Sequence, residues 1–480
     1  MNVLTTTDGL LLIFGYFIVM LAVILLLRGS KTKESYLVAN RRAPWVLTAF
    51  SMAATWVWAP SLFTAAEKAY TQGFAGVFWF VVPNVLTFVL FAVFAKKFRE
   101  MRPEGWTFSD YIREKYSNRA HTMFLVESFG LQICSFAVQL LAGATIFAKI
   151  TGMPFLLTTV LMAALPLLYT FTSGIRGSIA TDFVKMGFIA AVLLLGLPIM
   201  GSNIGWDSIT AGLGGISGEF GSLFSGKGIA VMLSFGIPTT IGLLSGTFGD
   251  QMFWQRAFCV KKENVKKTML LAAGIFAIVP ISLSLFGFFA AGSGLEVGDT
   301  QLVNVASVVA YTPRWFLYLF FVLILAGLMS TVDSILCALS SVAGQDVITR
   351  IREKHTIKMS DLQFGRIIMV VVAFLAVCVA NIPGLKITYL FLFYGTLRSS
   401  VMLPTIFAIK GRRMSERGLF WGIVISLVVG LPTFAIGNLN GNVPMILTGS
   451  LFTILASGII ARVLPEGNQT KNGIRSGSIQ

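Results

Sequence analysis

Charged side chains are scarce in this chain, at 12% of its 480 residues. A soluble globular domain carries about 25% charged residues, because its surface has to face water. Hydrophobic residues instead make up 55% of the chain, and the mean hydropathy is +0.80. Since these few charges cannot cover a water-facing surface, we expect much of the molecule to face lipid.

Cysteine and histidine are also rare, with four and two residues respectively. The four cysteines, none of which forms a CxxC pair, are Cys134, Cys259, Cys337 and Cys378. A disulfide framework or a zinc site would need closer or paired spacing. Because no nucleophile–base pair stands out either, we predict no enzyme, no metal centre and no cofactor.

Thirteen apolar runs are long enough to cross a membrane, since a helical span needs about 20 apolar residues. They lie at about 8–28, 44–71, 75–96, 121–149, 154–173, 180–201, 228–254, 268–292, 315–345, 366–382, 386–409, 418–436 and 444–463. We therefore predict an all-α polytopic membrane protein with one transmembrane domain over residues 1–465. The polar, Gly- and Ser-rich residues 466–480 are predicted to form a disordered cytoplasmic tail.

The basic excess, a formal net charge of +16, is distributed between the apolar runs. The first run has no basic residue before it, and Arg28, Lys31 and Lys33 follow it. This order predicts an N-terminus outside the cytoplasm. With that orientation, 31 of the 37 Lys and Arg residues fall in the seven predicted cytoplasmic segments. The charge therefore indicates a multi-pass plasma (inner) membrane protein with a cytoplasmic C-terminus, and not a nucleic-acid partner.

Two predicted spans contain helix-breaking residues. Pro60 in the second span leaves a carbonyl of the preceding turn without its partner. Residues 234–250 of the seventh span contain Pro238 and four glycines. Interrupted helices in corresponding positions, here five spans apart, are typical of inverted-repeat transporters. We predict core repeats at about 44–201 and 228–409, with one additional span before them and two after them.

Polar groups inside the spans indicate function, because lipid penalises them. Ionisable residues within predicted spans include Glu67, Lys68, Glu127, Asp182, Asp250, Asp333 and Arg398. The ninth span also carries two adjacent hydroxyls, Ser330 and Thr331, which suit a hard monovalent cation. The alternative is that these hydroxyls donate to carbonyls of their own helix.

Four motifs in this order resemble the sodium/solute symporter family. They are residues 39–46 (ANRRAPWV), Tyr169-Thr170 followed by 174–182 (GIRGSIATD), 250–256 (DQMFWQR) and 327–331 (GLMST). The resemblance covers about residues 8–463. It implies the LeuT-type fold with five plus five inverted repeats, and symport driven by sodium.

The resemblance also implies a sodium site built from carbonyls, hydroxyls and one aspartate. Matched by motif, its residues are Ala54, Val57, Gly327, Ser330, Thr331 and Asp182. Three positions after the aspartate the family often has a polar residue, and this chain has Lys185. That departure argues against a second ion near the aspartate.

Candidate solute contacts lie near the two interrupted spans. They are Trp56, Trp58 and Ser61 in span two, Ser245 and Thr247 in span seven, and the amide of Gln139 in span four. For the tryptophans the alternative is an interfacial anchor. For Gln139 it is a hydrogen bond between helices.

Residues 54–59 (ATWVWA) and 73–79 (GFAGVFW) are similar to those of urea symporters within the family. The resemblance therefore implies sodium-coupled symport of a small polar solute by alternating access, with urea as the candidate. The expected partners are the solute, Na⁺ and the lipid bilayer. Two alternatives stay open from the sequence: an uncoupled facilitator or channel, and the sensor module of a signalling protein.

Overall fold

The computed structural model describes residues 3–27, 32–356, 358–385 and 387–465. Within these ranges the chain forms twenty α-helices and no β-strand, which confirms the all-α prediction. In chain order, α1 to α20 are Thr6–Leu26, Lys33–Val38, Trp45–Thr55, Ala59–Met101, Phe108–Lys115, Asn118–Thr151, Phe155–Ile204, Asp207–Ala211, Gly226–Val231, Ile237–Gly249, Gln251–Cys259, Val265–Gly292, Val303–Tyr311, Arg314–Val342, Ile348–Arg352, Asp361–Ala380, Ile387–Ile409, Glu416–Ile425, Leu431–Leu439 and Val443–Val463. The predicted tail at 466–480 lies outside the described residues.

Ten helical stretches of the described chain are long and apolar enough to cross a membrane. Large apolar side chains stay exposed on them, such as Leu26 at 87% and Leu194 at 74%. Water would penalise such surfaces, whereas lipid solvates them. The multi-pass membrane character is thus confirmed, while the number of thirteen spans stays a prediction.

Helices α4 and α7 are bent at glycines. They have 43 and 50 residues, about twice the length that one span needs. Gly73 in α4 and Gly174 in α7 have positive φ values of 53° and 58°. A Cβ at Gly174 would stand 2.5 Å from the carbonyl oxygen of Tyr36, so only glycine fits both the conformation and the space.

The loops predicted to be cytoplasmic meet at one face of the molecule. This basic face consists of residues 32–44, 102–117, 260–264, 353–356, 358–360 and 410–415. The backbone N–H of Ala43 donates to the carbonyl of Cys259 at 3.0 Å, and the Tyr111 hydroxyl donates to the carbonyl of Ala408 at 3.0 Å. Residues far apart in sequence are therefore joined on this side.

Several other described loops meet at the opposite face. There the N–H of Leu4 donates to the carbonyl of Ile150 at 3.0 Å, and Lys149 pairs with Asp299 at 2.5 Å. Helix α7 starts near these contacts, and its bend at Gly174 lies against the basic-face helix α2. The helix therefore reverses direction at this bend.

The first interrupted helix breaks between α3 and α4. Helix α3 ends at Thr55, and Trp58 is extended, with φ −101° and ψ 176°, before α4 begins. Pro60 lies at the second position of α4, where a missing N–H breaks no helical hydrogen bond. The carbonyl that the break leaves at Trp56 accepts the Ser61 hydroxyl at 3.0 Å.

The second interrupted helix breaks at Asp250, between α10 and α11, where φ is −109° and ψ is 116°. The carboxylate of Asp250 caps α11 by accepting the N–H of Met252 at 3.0 Å. Pro238 does not mark this break. It lies in the first turn of α10, after the π-helical segment Met232–Gly236, and the helix continues through it.

Candidate ion site and solute cavity

The break between α3 and α4 packs directly on α14. The carbonyl oxygen of Val57 is 3.1 Å from the position that a Cβ on Gly327 would take. The Thr331 hydroxyl donates to the carbonyl of Thr55 at 3.1 Å. Because residue 327 has no side chain, the backbone of the break can approach the helix this closely.

The predicted sodium residues meet at this contact. The Ser330 hydroxyl donates to Asp182 Oδ1 at 2.8 Å, and the carbonyl of Ala54 accepts the N–H of Val57 at 3.0 Å. A hydroxyl that donates its hydrogen still has lone pairs, and a carbonyl has two, so these oxygens can also coordinate a cation. The donor set is thus entirely oxygen, which suits Na⁺.

Beside these residues lies a buried charge cluster, formed by Asp182, Lys185, Arg256 and Asp333. All four side chains are 0% exposed. Arg256 Nη2 donates to Asp182 Oδ2 at 3.1 Å. The Lys185 ammonium donates to Asp182 Oδ1 at 3.3 Å and pairs with Asp333 Oδ2. Two carboxylates thus face two cations, and the ionised cluster is neutral.

Hydroxyl groups complete the coordination of these charges. Ser51 donates to Asp182 Oδ2 at 2.6 Å, whereas Tyr169 donates to Asp333 Oδ2 at 3.0 Å and Ser178 to Asp333 Oδ1 at 3.1 Å. Buried ion pairs need such additional hydrogen bonds to offset the loss of water. The cluster joins α3, α7, α11 and α14, so it ties both interrupted helices to their neighbours.

A second buried ion pair lies at the break between α10 and α11. Arg398 Nη2 donates to Asp250 Oδ2 at 3.1 Å, and Gln132 Nε2 donates to Asp250 Oδ1 at 2.8 Å. The Arg398 guanidinium stacks 4.8 Å from the ring centre of Tyr394 and 5.5 Å from that of Trp58. Cation–π contacts therefore connect this pair with the first break.

A cavity of about 340 Å³ extends from this point toward the opposite face. Trp58, Tyr394 and Arg398 form its inner end, and Asp299 and Gln301 lie at its outer end. Its walls come mainly from α4, α6, α10 and α17, and include hydroxyls at Thr64, Thr145, Thr239 and Ser399. The volume is at the lower end of the range for small-molecule sites, which is about 300–1,000 Å³.

The model of the sodium:solute symporter family matches residues 36–426. The chain belongs to this family. It is 24% identical to "Probable urea active transporter 1" of Schizosaccharomyces pombe, over 91% of this chain and 71% of that protein. It is 22% identical to "Urea-proton symporter DUR3" of Oryza sativa subsp. japonica, over 90% of this chain and 66% of that protein.

A solved structure of a Na⁺-coupled sialic acid symporter in a substrate-bound outward-open state has the same fold. The TM-score is 0.78 at 19% identity, with 95% of this chain and 97% of that chain covered. The prediction of the five-plus-five inverted-repeat fold is therefore confirmed.

Trp58 is the one of the six residues predicted to contact solute that lines the described cavity. The Trp56 indole N–H donates to Asn84 Oδ1 at 2.8 Å. Gln139 Oε1 accepts the N–H of Ala59 at 2.9 Å. The amide of Gln139 thus satisfies the first backbone donor of α4 and holds the break in place.

The three hydroxyl residues predicted to contact solute bond within the helix packing. Ser61 donates to a carbonyl in the break at 3.0 Å, and Ser245 donates to the carbonyl of Ile241 at 2.7 Å. The Thr247 and Thr87 hydroxyls are 3.1 Å apart. Their role in solute binding stays a prediction.

The sequence did not predict Tyr394 or Arg398 at the candidate solute cavity, nor the pairing of Lys185 with Asp333. Arg398 and Asp333 were identifiable as ionisable residues inside spans. Their partners were not, because the pairing depends on how the helices pack. The Glu67–Lys68 pair, whose charged groups are 3.6 Å apart, also lines the cavity.

Proposed function

We propose that the protein is a secondary active transporter that carries a small polar solute into the cell together with Na⁺. One observation supports this most: the break between α3 and α4 contributes residues both to the predicted sodium site and to the cavity. The carbonyl of Val57 faces Gly327 among the predicted sodium residues, and the next residue, Trp58, forms the inner end of the cavity.

This shared break provides a physical basis for coupling. A cation at Val57, Gly327, Ser330 and Thr331 would fix the backbone between α3 and α4 against α14. The adjacent Trp58 would then already be held in its solute-binding position. The cation would already have ordered this backbone, so the solute would not have to order it again. Each ligand therefore favours the binding of the other.

One sodium ion provides enough energy for a scavenging carrier. A tenfold Na⁺ gradient corresponds to about 1.4 kcal/mol, and a potential of 100 mV adds about 2.3 kcal/mol per charge. The total of about 3.7 kcal/mol allows a neutral solute to be accumulated roughly five hundredfold.

Urea is the solute that we propose first. The two curated relatives named above are called urea transporters, and the chain aligns with each over at least 90% of its own length. At the inner end of the cavity, aromatic rings of Trp58 and Tyr394 lie beside polar groups, which suits a small planar polar molecule.

The proposed orientation has the N-terminus outside and the basic face in the cytoplasm. The location of 31 of 37 basic residues in the predicted cytoplasmic segments supports it. In that orientation the outer end of the cavity faces the outside of the cell, as expected for a carrier that can accept external solute.

Uptake of radiolabelled urea into proteoliposomes tests this function. An inward Na⁺ gradient is compared with an equal K⁺ gradient, each with and without an inward proton gradient. We expect urea to rise above its external concentration only with Na⁺. Equilibration without accumulation would indicate a facilitator, and accumulation driven by protons in K⁺ would contradict sodium coupling.

A further inference from the structure

Lys185 is a buried cation that lies between two carboxylates. Its ammonium pairs with Asp333 Oδ2, and it donates at 3.3 Å both to Asp182 Oδ1 and to the Thr181 hydroxyl. Asp182 Oδ1 is also the oxygen that accepts the Ser330 hydroxyl of the predicted sodium site. A single carboxylate oxygen thus connects the lysine with that site.

The charges around Lys185 compensate one another within the cluster. Asp182 and Asp333 are 0% exposed, and an uncompensated charge at such depth costs several kcal/mol. Arg256 compensates one carboxylate, because its Nη2 is 3.1 Å from Asp182 Oδ2. Lys185 compensates the other, so the cluster needs no further ion.

Without the ammonium, the same pocket would present oxygen atoms alone. Asp333 keeps hydroxyl neighbours at Ser178, Thr181 and Tyr169, at 3.1, 3.4 and 3.0 Å. One unbalanced carboxylate surrounded by hydroxyl oxygens is a ligand set that a hard monovalent cation accepts.

We propose that Lys185 is a tethered cation that takes the place of a second coupling ion and limits the transporter to one Na⁺ per cycle. This inference rests on the proposed sodium symport. Because the ammonium is covalently attached to α7, it stays with the protein throughout the cycle and never crosses the membrane with the solute.

Equilibrium binding of radioactive sodium to the purified full-length protein in detergent tests the proposal without any solute. The proposal predicts one saturable Na⁺ per molecule for the wild type. Lys185→Arg, which keeps the charge, should also bind one. Lys185→Gln leaves Asp333 uncompensated and should bind two.

The double variant Lys185→Gln with Asp333→Asn restores neutrality and should return to one Na⁺. This variant is the control for charge, because it lacks the lysine but contains no unbalanced buried carboxylate. Sodium should also raise the unfolding temperature of Lys185→Gln. Plotted against the logarithm of the sodium concentration, this temperature should rise with about twice the wild-type slope, because each bound ion stabilises the folded state by its own binding free energy.

The outcomes separate the two claims. Two Na⁺ in the wild type, or one in a folded Lys185→Gln, overturns the role of Lys185 while leaving sodium symport in place. No sodium binding by the wild type overturns sodium symport, and the role of Lys185 falls with it.

Discussion

At the scale of the residue, the candidate ion site depends on hydroxyls that can donate a hydrogen bond and also coordinate a cation. Ser330 donates to Asp182, and Thr331 donates to the carbonyl of Thr55, and both oxygens keep lone pairs for a cation. Adjacent hydroxyls in span nine could be identified from the sequence. The family resemblance also placed Asp182 in this site, but the sequence did not predict the hydrogen bond from Thr331 to the carbonyl of Thr55.

Replacing both hydroxyls should abolish coupling without unfolding the protein. For Ser330→Ala with Thr331→Val we expect loss of sodium-stimulated urea uptake in proteoliposomes and a normal elution volume in size-exclusion chromatography. Ser284→Ala is the matched control, since this buried hydroxyl donates only to the carbonyl of Ile281 in its own helix, at 2.7 Å. Wild-type sodium activation in the double variant would contradict the site assignment.

Arg256 should contribute strongly to stability, because its loss leaves Asp182 with one cation fewer. Arg256→Met removes the contacts to Asp182 Oδ2 at 3.1 Å and to Ser334 at 2.6 Å. Breaking a buried pair from one side costs about 3–5 kcal/mol, so we expect a large fall in the thermal unfolding temperature in detergent. Arg412→Met at the exposed basic face should leave that temperature nearly unchanged, and an equal effect of both variants would refute this account.

At the scale of the element, apolar runs predicted the helices well, whereas the breaks were predicted only in part. Pro60 correctly indicated the first break, since a proline fits the start of α4. Pro238 does not mark the second break, because the helix continues through it from the π-helical segment Met232–Gly236. The break comes instead at Asp250, whose carboxylate caps the following helix. The pairing of Lys185 with Asp333 required the packing of α7 on α14, which local patterns do not encode.

The bend in α7 should depend on glycine. Gly174→Ala places a Cβ 2.5 Å from the Tyr36 carbonyl oxygen and forces a side chain into a φ of 58°. Such backbone strain costs about 1–3 kcal/mol, so thermal stability in detergent should fall. Gly187→Ala in the same helix meets no atom within 4 Å and should be neutral or slightly stabilising. Equal stability of the two variants would show that the bend tolerates a side chain.

At the scale of the whole molecule, the two faces of the helix bundle differ in the side of the membrane that they are expected to face. The account places the loop around Gly298 outside and the loop around Arg412 inside. With Cys134 and Cys378 replaced by serine, Gly298→Cys should react with a membrane-impermeant maleimide on intact cells, since this residue is exposed. Arg412→Cys should react only after permeabilisation. The reverse pattern would invert the proposed orientation.

The central claim is that solute and Na⁺ move together, and solute-driven sodium entry tests it most directly. Radioactive sodium uptake is measured in proteoliposomes at equal Na⁺ on both sides, with and without an inward urea gradient. The account predicts that the urea gradient accelerates sodium entry in the wild type, and that Ser330→Ala with Thr331→Val abolishes this effect. Urea entry without any change in sodium entry would contradict symport.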